Sequence, residues 1–378
     1  MSFKSTGLAP YLLQAITKQD YNKPTQIQEL AIPVILKGKD VLAIAPTGSG
    51  KTAAYALPII QSLKGKTTTK NRHINVLVLV PTRELADQVG KVFQSFSRDL
   101  PYKFKTLAVY GGVSINPQMI NMQHVNVLVA TPGRLIELAE SNAMHFSDLS
   151  TLVLDEADKM LNMGFKEEMD KIFKLLPAHR QNLLFSATLS SDVQAIKGVL
   201  LKDPNLIKIE AKKETVDLIK QSGYFVEPGK KGPLLRHLIS SNDWKQVLVF
   251  TSSVHRADMV AHKLRTNDID AQAIHSKRSQ RARKDALADF KSGSIRVLVS
   301  TDLLSRGIDI AFLPYVINYE LPRSPKDFIH RIGRTGRAEN PGEAISFVSK
   351  EELHHFKVIQ KKLKSYVKMV DAETLELQ

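Results

Sequence analysis

Cysteine is absent from the 378 residues, which excludes a disulfide framework, a thiolate metal centre and a cysteine nucleophile. The opening stretch MSFKSTGLAPYLLQAITKQD has no long apolar core behind a basic segment. No apolar run elsewhere reaches the roughly 20 residues that a membrane helix needs. A reducing cytoplasmic compartment and no membrane partner are therefore expected. Acidic residues are also in short supply: 38 Asp and Glu face 53 Lys and Arg, a formal net charge of +15. The excess is spread along the chain and points to a polyanion, nucleic acid first, as partner. A basic soluble protein without such a partner is the alternative that charge alone leaves open.

What is present reads as α/β. A chain of this length suits two domains of ordinary size. Short apolar runs rich in β-branched residues recur with helical patterns between them: VLAIA at 41, VLVLV at 76, TLAVY at 106, VNVLVA at 125, LVLD at 152 and NLLFSAT at 182. Continuous rather than alternating apolarity means strands buried on both faces, as in a mostly parallel sheet covered by helices on both sides. The series repeats with QVLVFTS at 246, DAQAIHS at 270, IRVLVSTD at 295, YVINYE at 315 and EAISFVS at 343. Two tandem α/β units follow, residues 1–208 and 218–378, with a polar linker at 209–217. Phe356, Ile359 and Leu363 share one face of a basic terminal helix, and residues 64–75 read as a solvated loop.

Two motifs carry chemistry. VLAIAPTGSGKT, residues 41–52, is a strand entering a tight loop that opens a helix. Gly48 and Gly50 let backbone N–H groups approach phosphate oxygens, Lys51 brings a charge to the β/γ-phosphates, and Thr52 suits Mg²⁺. Ala45 stands where the strict phosphate-loop pattern has glycine. LVLDEAD, residues 152–158, delivers Asp155 and Glu156 to the carboxyl end of a strand, where open α/β sheets bind ligands. Asp155 suits a hold on Mg²⁺, directly or through water, and Glu156 suits positioning and deprotonating an attacking water. Alone, such an acidic run would equally suit a helix N-terminus.

APTGSGKT and DEAD together resemble the DEAD-box RNA helicases. The resemblance runs through KPTQIQ (23–28), PTRELA (81–86), YGG (110–112), TPGR (131–134), SAT (186–188), QRAR (280–283), STDLLSRGID (300–309) and HRIGRTGR (330–337), nearly the whole chain. The opening MSFKSTGL and the compact length are most similar to the bacterial RhlE-type subgroup. That subgroup often carries a basic C-terminal extension, short or absent here, which implies weak targeting or a trimmed chain.

The resemblance implies two RecA-like domains that bind ATP, Mg²⁺ and RNA, and a monomer that couples ATP hydrolysis to local duplex separation. Lys51, Asp155, Glu156, Arg334 and Arg337 would be catalytic, the last two as arginine fingers. Nucleotide would be held by Phe3, Tyr21, Lys23, Gln28, Thr47, Gly48, Ser49, Gly50, Lys51, Thr52 and Asp309. Gln28 would read the adenine edge, Tyr21 would stack on it and Asp309 would meet the ribose; Thr52 and Asp155 would hold the metal. The RNA backbone would run over Arg83, Gly111, Gly112, Thr131, Gly133, Arg134, Gln280, Arg283 and Thr301, with little sequence specificity. Asp158, Ser186 and Thr188 would couple the acidic box to RNA, and His330 and Arg331 would hold the interdomain contact. Pro46 stands where the family commonly has Gln, Gln26 where it commonly has Pro, and Ser276 replaces the usual Gly after His275. Partners in ribosome assembly or RNA decay are family possibilities. A DNA helicase, or an ATP-dependent RNA clamp with incidental unwinding, are the rival readings.

Overall fold

The computed structural model describes residues 2–19, 21–65, 71–210, 219–302, 313–336, 342–363 and 365–375. The chain divides into two compact units, Met1–Ala211 and Lys212–Gln378. From residue 211 on, the expected linker lies outside the described residues.

The first unit is built on seven strands: β1 Val41–Ile44, β2 Val76–Leu79, β3 Lys105–Val109, β4 Val125–Ala130, β5 Thr151–Leu154, β6 Gln181–Ser186 and β7 Asn205–Lys208. They form one sheet in the order β3-β4-β2-β5-β6-β1-β7. Every strand pair is parallel. Strand β1 shows why the run VLAI folds this way. Val41 and Ala43 enter one apolar core and Leu42 and Ile44 the other, so both faces are removed from water. Helices α1 Pro10–Thr17, α2 Gln26–Leu36, α3 Lys51–Ser62 and α4 Arg83–Ser97 supply Leu12, Ile32, Leu57 and Phe93 to the first core. Helices α5 Asn116–Asn121, α6 Pro132–Glu140, α7 Ala157–Asn162, α8 Lys166–Leu175 and α9 Ser191–Leu200 follow, and Leu135, Met160, Met169 and Val193 fill the second core.

The second unit repeats the plan with β8 Ile219–Phe225, β9 Val247–Thr251, β10 Ala271–Ile274, β11 Val297–Thr301, β12 Tyr315–Asn318, β13 Gly342–Val348 and β14 Lys368–Asp371, in the order β10-β11-β9-β12-β13-β8-β14. All its pairs are parallel too. The terminal helix Leu353–Leu363 buries Phe356 and Ile359, as its spacing predicts.

Three strands differ from the sequence reading. Strand β8, IKQSGYF, falls in a stretch that reads as polar connection and turn, because only Ile219 and Gly223 of it are buried. Strands β7 and β14 are short edges with mostly exposed or half-exposed residues, so no apolar run announces them. Among the described residues no helix is long and apolar enough to cross a membrane.

Candidate active site

In the first unit the motif residues gather at the carboxyl edge of the sheet, where the loops after β1, β2, β3, β4, β5 and β6 emerge. The loop after β1 turns through Gly48 and Gly50, at φ of 79° and 94°. At Gly50 a Cβ would come within 2.6 Å of Gln28 Nε2 and 2.8 Å of Thr25 Oγ1, so glycine is required both by conformation and by space. Lys51 is buried at the start of α3 and donates from Nζ to the carbonyls of Ala45 (2.8 Å) and Pro46 (3.0 Å). Burial lowers its pKa, and the nearby Asp155 and Glu156 work against that fall. Ser49 Oγ is buried with no hydrogen-bond partner. Thr47 and Gly48 are exposed, and Thr52 is half-buried. A cation and an unpaired hydroxyl beside open backbone suit a phosphate chain.

Facing this loop is the end of β5. Asp155 is 2% exposed, and its pKa is pushed up to about 6 by burial first and by Glu156 second, against Lys51 and two hydrogen bonds. Those bonds come from Tyr55 Oη to Oδ2 and from the Glu156 N–H to Oδ1, both 2.9 Å. Glu156 takes a left-handed conformation, φ 53°, uncommon for a residue with a Cβ and a frequent mark of functional sites. Its Oε1 lies 2.6 Å from Lys159 Nζ, and its Oε2 is buried without a partner. Hard carboxylate and hydroxyl oxygens, Asp155 with Thr52, are a donor set that fits Mg²⁺.

Asp158 ties the acidic box to the end of β6. Thr188 Oγ1 donates to Asp158 Oδ2 at 2.9 Å, the Lys159 N–H donates to Oδ1 at 3.1 Å, and Ser186 Oγ donates to the Thr188 carbonyl at 2.8 Å. The two motifs thus meet through one hydroxyl–carboxylate bond.

On the nucleotide side Gln28 is 1% exposed; its Oε1 accepts from the Thr25 N–H at 3.0 Å, and its Nε2 donates to the Gly50 carbonyl at 3.1 Å. The amide closes a capping box at the start of α2 and braces the phosphate loop with one of its two N–H groups. Phe3 is a core residue, 5% exposed in the same apolar core as Leu8, Leu12 and Ile35. Tyr21 is exposed beside Phe96, ring to ring at 5.4 Å and 70°, and Lys23 is exposed.

The residues expected along an RNA backbone in this unit also cluster. Gly112 adopts φ 74°, and a Cβ there would fall on the Arg83 guanidinium, whereas one at Gly111 would meet nothing, so Gly112 alone is shaped around Arg83. Arg134 is buried. Its Nη2 donates to the Val113 carbonyl at 2.7 Å, its Nε lies 2.8 Å from Glu137 Oε2 and its Nη1 has no partner. Part of the guanidinium expected to hold phosphate therefore positions the glycine loop instead. Thr131 stands at the N-cap position of α6 without a side-chain capping bond and is buried, and Gly133 follows in the first turn.

In the second unit Gln280 and Arg283 open the helix Gln280–Ser292, and Thr301 ends β11; all three are buried. Both amide atoms of Gln280 are buried without partners. Arg331, expected with His330 to make the interdomain contact, is 1% exposed. Its Nε and Nη2 grip Asp302 Oδ1 and Oδ2, the latter at 2.7 Å, while Nη1 donates to Asn318 Oδ1 (3.1 Å) and the Glu320 carbonyl (2.6 Å). The guanidinium also lies over the Phe250 ring, 5.0 Å from its centre. Its donors are engaged within the second unit. Arg331 and His330 lie in the last turn of the helix Pro325–Ile332 and Arg334 in the turn after it, whereas Arg337 and Asp309 lie outside the described residues.

Sequence reasoning missed Tyr55, Lys159 and Asp302. Each is ordinary by type, and only its partner in space marks it.

A phosphate loop after β1 and an acidic pair after β5, Asp155 buried and Glu156 half-buried, carried by one of two tandem parallel sheets, define a phosphate-loop ATPase with RecA-like units. Comparison with known proteins narrows this. The DEAD/DEAH box helicase model matches residues 25–196, and the helicase conserved C-terminal domain matches residues 230–339. The chain is 38% identical to the ATP-dependent RNA helicase CshA of Limosilactobacillus reuteri over 96% of this chain and 72% of that protein. It is 39% identical to the ATP-dependent rRNA helicase RRP3 of Gibberella zeae over 97% and 75%. Among solved structures it is similar to S. cerevisiae Dbp5 bound to RNA and ADP BeF3, with a TM-score of 0.84, 29% identity and coverage of 98% and 96%. It also resembles a DEAD box protein from Methanococcus jannaschii, at 0.54, 35%, 98% and 99%. The chain belongs to the DEAD/DEAH box helicases. The two curated relatives just described carry the names CshA and RRP3, and the RhlE-type subgroup is not confirmed by them.

Proposed function

We propose that this chain is a cytoplasmic, monomeric, ATP-dependent RNA helicase that couples ATP hydrolysis to local, sequence-independent duplex separation or remodelling of RNA–protein complexes. The observation that carries the reading is Lys51 at the head of α3 beside the buried Asp155 and the half-buried Glu156: phosphate-binding charge and water-orienting carboxylate sit at one sheet edge. Relatives named as ATP-dependent RNA helicases, and a neighbour solved with RNA and ADP BeF3, support the same activity.

Lys51 and the loop amides bind the phosphates, and Lys51 exchanges its bonds to Ala45 and Pro46 for phosphate oxygens. Glu156 orients the attacking water. Thr52 and Asp155 would hold Mg²⁺, which supplies charge neutralisation on the β- and γ-phosphates when bound. Arg334 and Arg337, contributed by the second unit, stabilise the transition state, a role that gives on the order of a thousandfold or more in rate. Arg83, Thr131, Gln280, Arg283 and Thr301 grip the sugar-phosphate track, and the Asp158–Thr188 bond relays between that track and the acidic box. Residues 209–217 serve as the linker.

The test compares ATP hydrolysis with no nucleic acid, with single-stranded RNA and with a matched DNA strand, alongside displacement of a short RNA duplex. RNA-specific stimulation with displacement is expected. Equal stimulation by DNA would overturn the substrate, and RNA stimulation without any displacement would favour a clamp.

A further inference from the structure

Tyr55 lies one turn along α3 from Lys51 and Thr52 and is completely buried. A phenol at such a site keeps a hydrogen-bond partner, and here the partner is Asp155 Oδ2 at 2.9 Å. The ring is held by Phe185 at 5.2 Å and Phe93 at 6.4 Å, so the hydroxyl has little freedom to move. The hydroxyl donates to Asp155, one of the two residues that would hold the metal, and stands one turn along α3 from the other, Thr52.

Asp155 is fixed at both oxygens, by Tyr55 at Oδ2 and by the Glu156 N–H at Oδ1. Each carboxylate oxygen accepts more than one hydrogen bond, so both remain able to face a cation or its water. A carboxylate pinned in this way needs no reorientation when a metal arrives. Partners behind a ligand commonly set metal affinity in this manner.

We propose that Tyr55 is a positioning residue for the divalent cation: its hydroxyl locks the Asp155 carboxylate, next to Thr52, in the orientation that receives Mg²⁺ with the nucleotide. The inference rests on the proposed ATP-and-Mg²⁺ reading of the site. An apolar ring would satisfy the packing against Phe93 and Phe185 equally well, so packing alone does not call for the hydroxyl.

The experiment uses the full chain and its Tyr55→Phe variant, which retains the ring. Binding of a fluorescent ADP analogue is titrated against Mg²⁺ and repeated in EDTA, and thermal unfolding is followed in EDTA. Tyr55→Phe should raise the Mg²⁺ half-saturation about tenfold while nucleotide binding in EDTA changes little. In an Asp155→Asn background the same substitution should have no further effect on the Mg²⁺ titration. An unchanged or lower half-saturation overturns the inference alone. Equal loss of nucleotide binding with and without Mg²⁺ also overturns it, since it marks a merely structural role. Nucleotide binding by the wild type that does not respond to Mg²⁺ overturns the metal reading of the site, and this inference with it.

Discussion

Lys159 Nζ stands 2.6 Å from Glu156 Oε1, and their side chains are only 4% and 12% exposed. One helical turn separates them, so the carboxylate proposed to orient water is held by the helix at whose N-terminus it stands. Removing one partner of a buried ion pair leaves the other charge uncompensated. Lys159→Met should lower RNA-stimulated kcat about tenfold or more with little change in the KM for ATP, and Lys159→Arg should restore most of the loss. Steady-state kinetics on the three proteins decides it. A rise in KM with kcat intact would mean that Lys159 serves binding instead.

The buried Arg331 predicts a stability effect. Stranding its guanidinium by Asp302→Ala should destabilise the second unit by about 3–5 kcal/mol. Urea unfolding of the chain would show it as a lower midpoint at an unchanged slope. A change under about 1 kcal/mol would mean that Asn318, the Glu320 carbonyl and the Phe250 ring suffice to hold the cation.

Gly112 separates conformation from chemistry. Gly112→Ala meets both a left-handed backbone and the Arg83 guanidinium, so it should cost more than about 1 kcal/mol and push Arg83 aside. Single-stranded RNA binding, followed by fluorescence anisotropy, should weaken several-fold while nucleotide binding in the absence of RNA stays as it was. Unaltered RNA affinity would remove Arg83 and the glycine loop from the RNA track.

Glu352 gives a pH dependence to the second unit. Burial raises its carboxyl, yet hydrogen bonds from Lys231 Nζ at 2.8 Å and from the Ser349 N–H at 3.0 Å outweigh it, and the pKa lies below 4.5. A depressed folded value means that the contribution is fully present above about pH 4.5 and is lost as pH falls through the folded pKa. Because the carboxylate is 30% exposed, solvent screening keeps the effect to about 1 kcal/mol or less. Glu352→Gln should therefore unfold more easily than wild type at pH 7, and the gap should close in acid. A gap of constant size would assign it to packing.

The legible part of the fold was its buried part. VLAI, VLVL and VNVLVA announce themselves because parallel strands covered on both faces admit little else, and their ends deliver the chemistry. Strand β8 did not, since Lys220, Gln221 and Ser222 sit where one face is partly open, and β7 and β14 are edges for which hydrophobicity has no need. In the site, the phosphate loop and the acidic box were legible because close approach to phosphate restricts which residues can stand there. Partnership was not. That Gln28 turns inward to Thr25 and Gly50, that Arg331 is spent on Asp302, and that Tyr55 faces Asp155 are facts of register between distant segments. No local pattern records them.

The place of β1 in the sheet has a consequence for biosynthesis. Val41 pairs with Leu183 on one side and Asn205 on the other, both of which leave the ribosome long after it. At about 5–20 residues per second, the nucleotide loop waits on the order of ten seconds for the strands that frame it. Until then VLAIA is an unpaired apolar segment that a holdase could cover. Strand β8 faces the same delay, since Ile219 pairs with Gly342. Each half of the enzyme thus becomes competent only when its last strands arrive, and a nascent chain interrupted before residue 181 would have no seated phosphate loop with which to bind nucleotide.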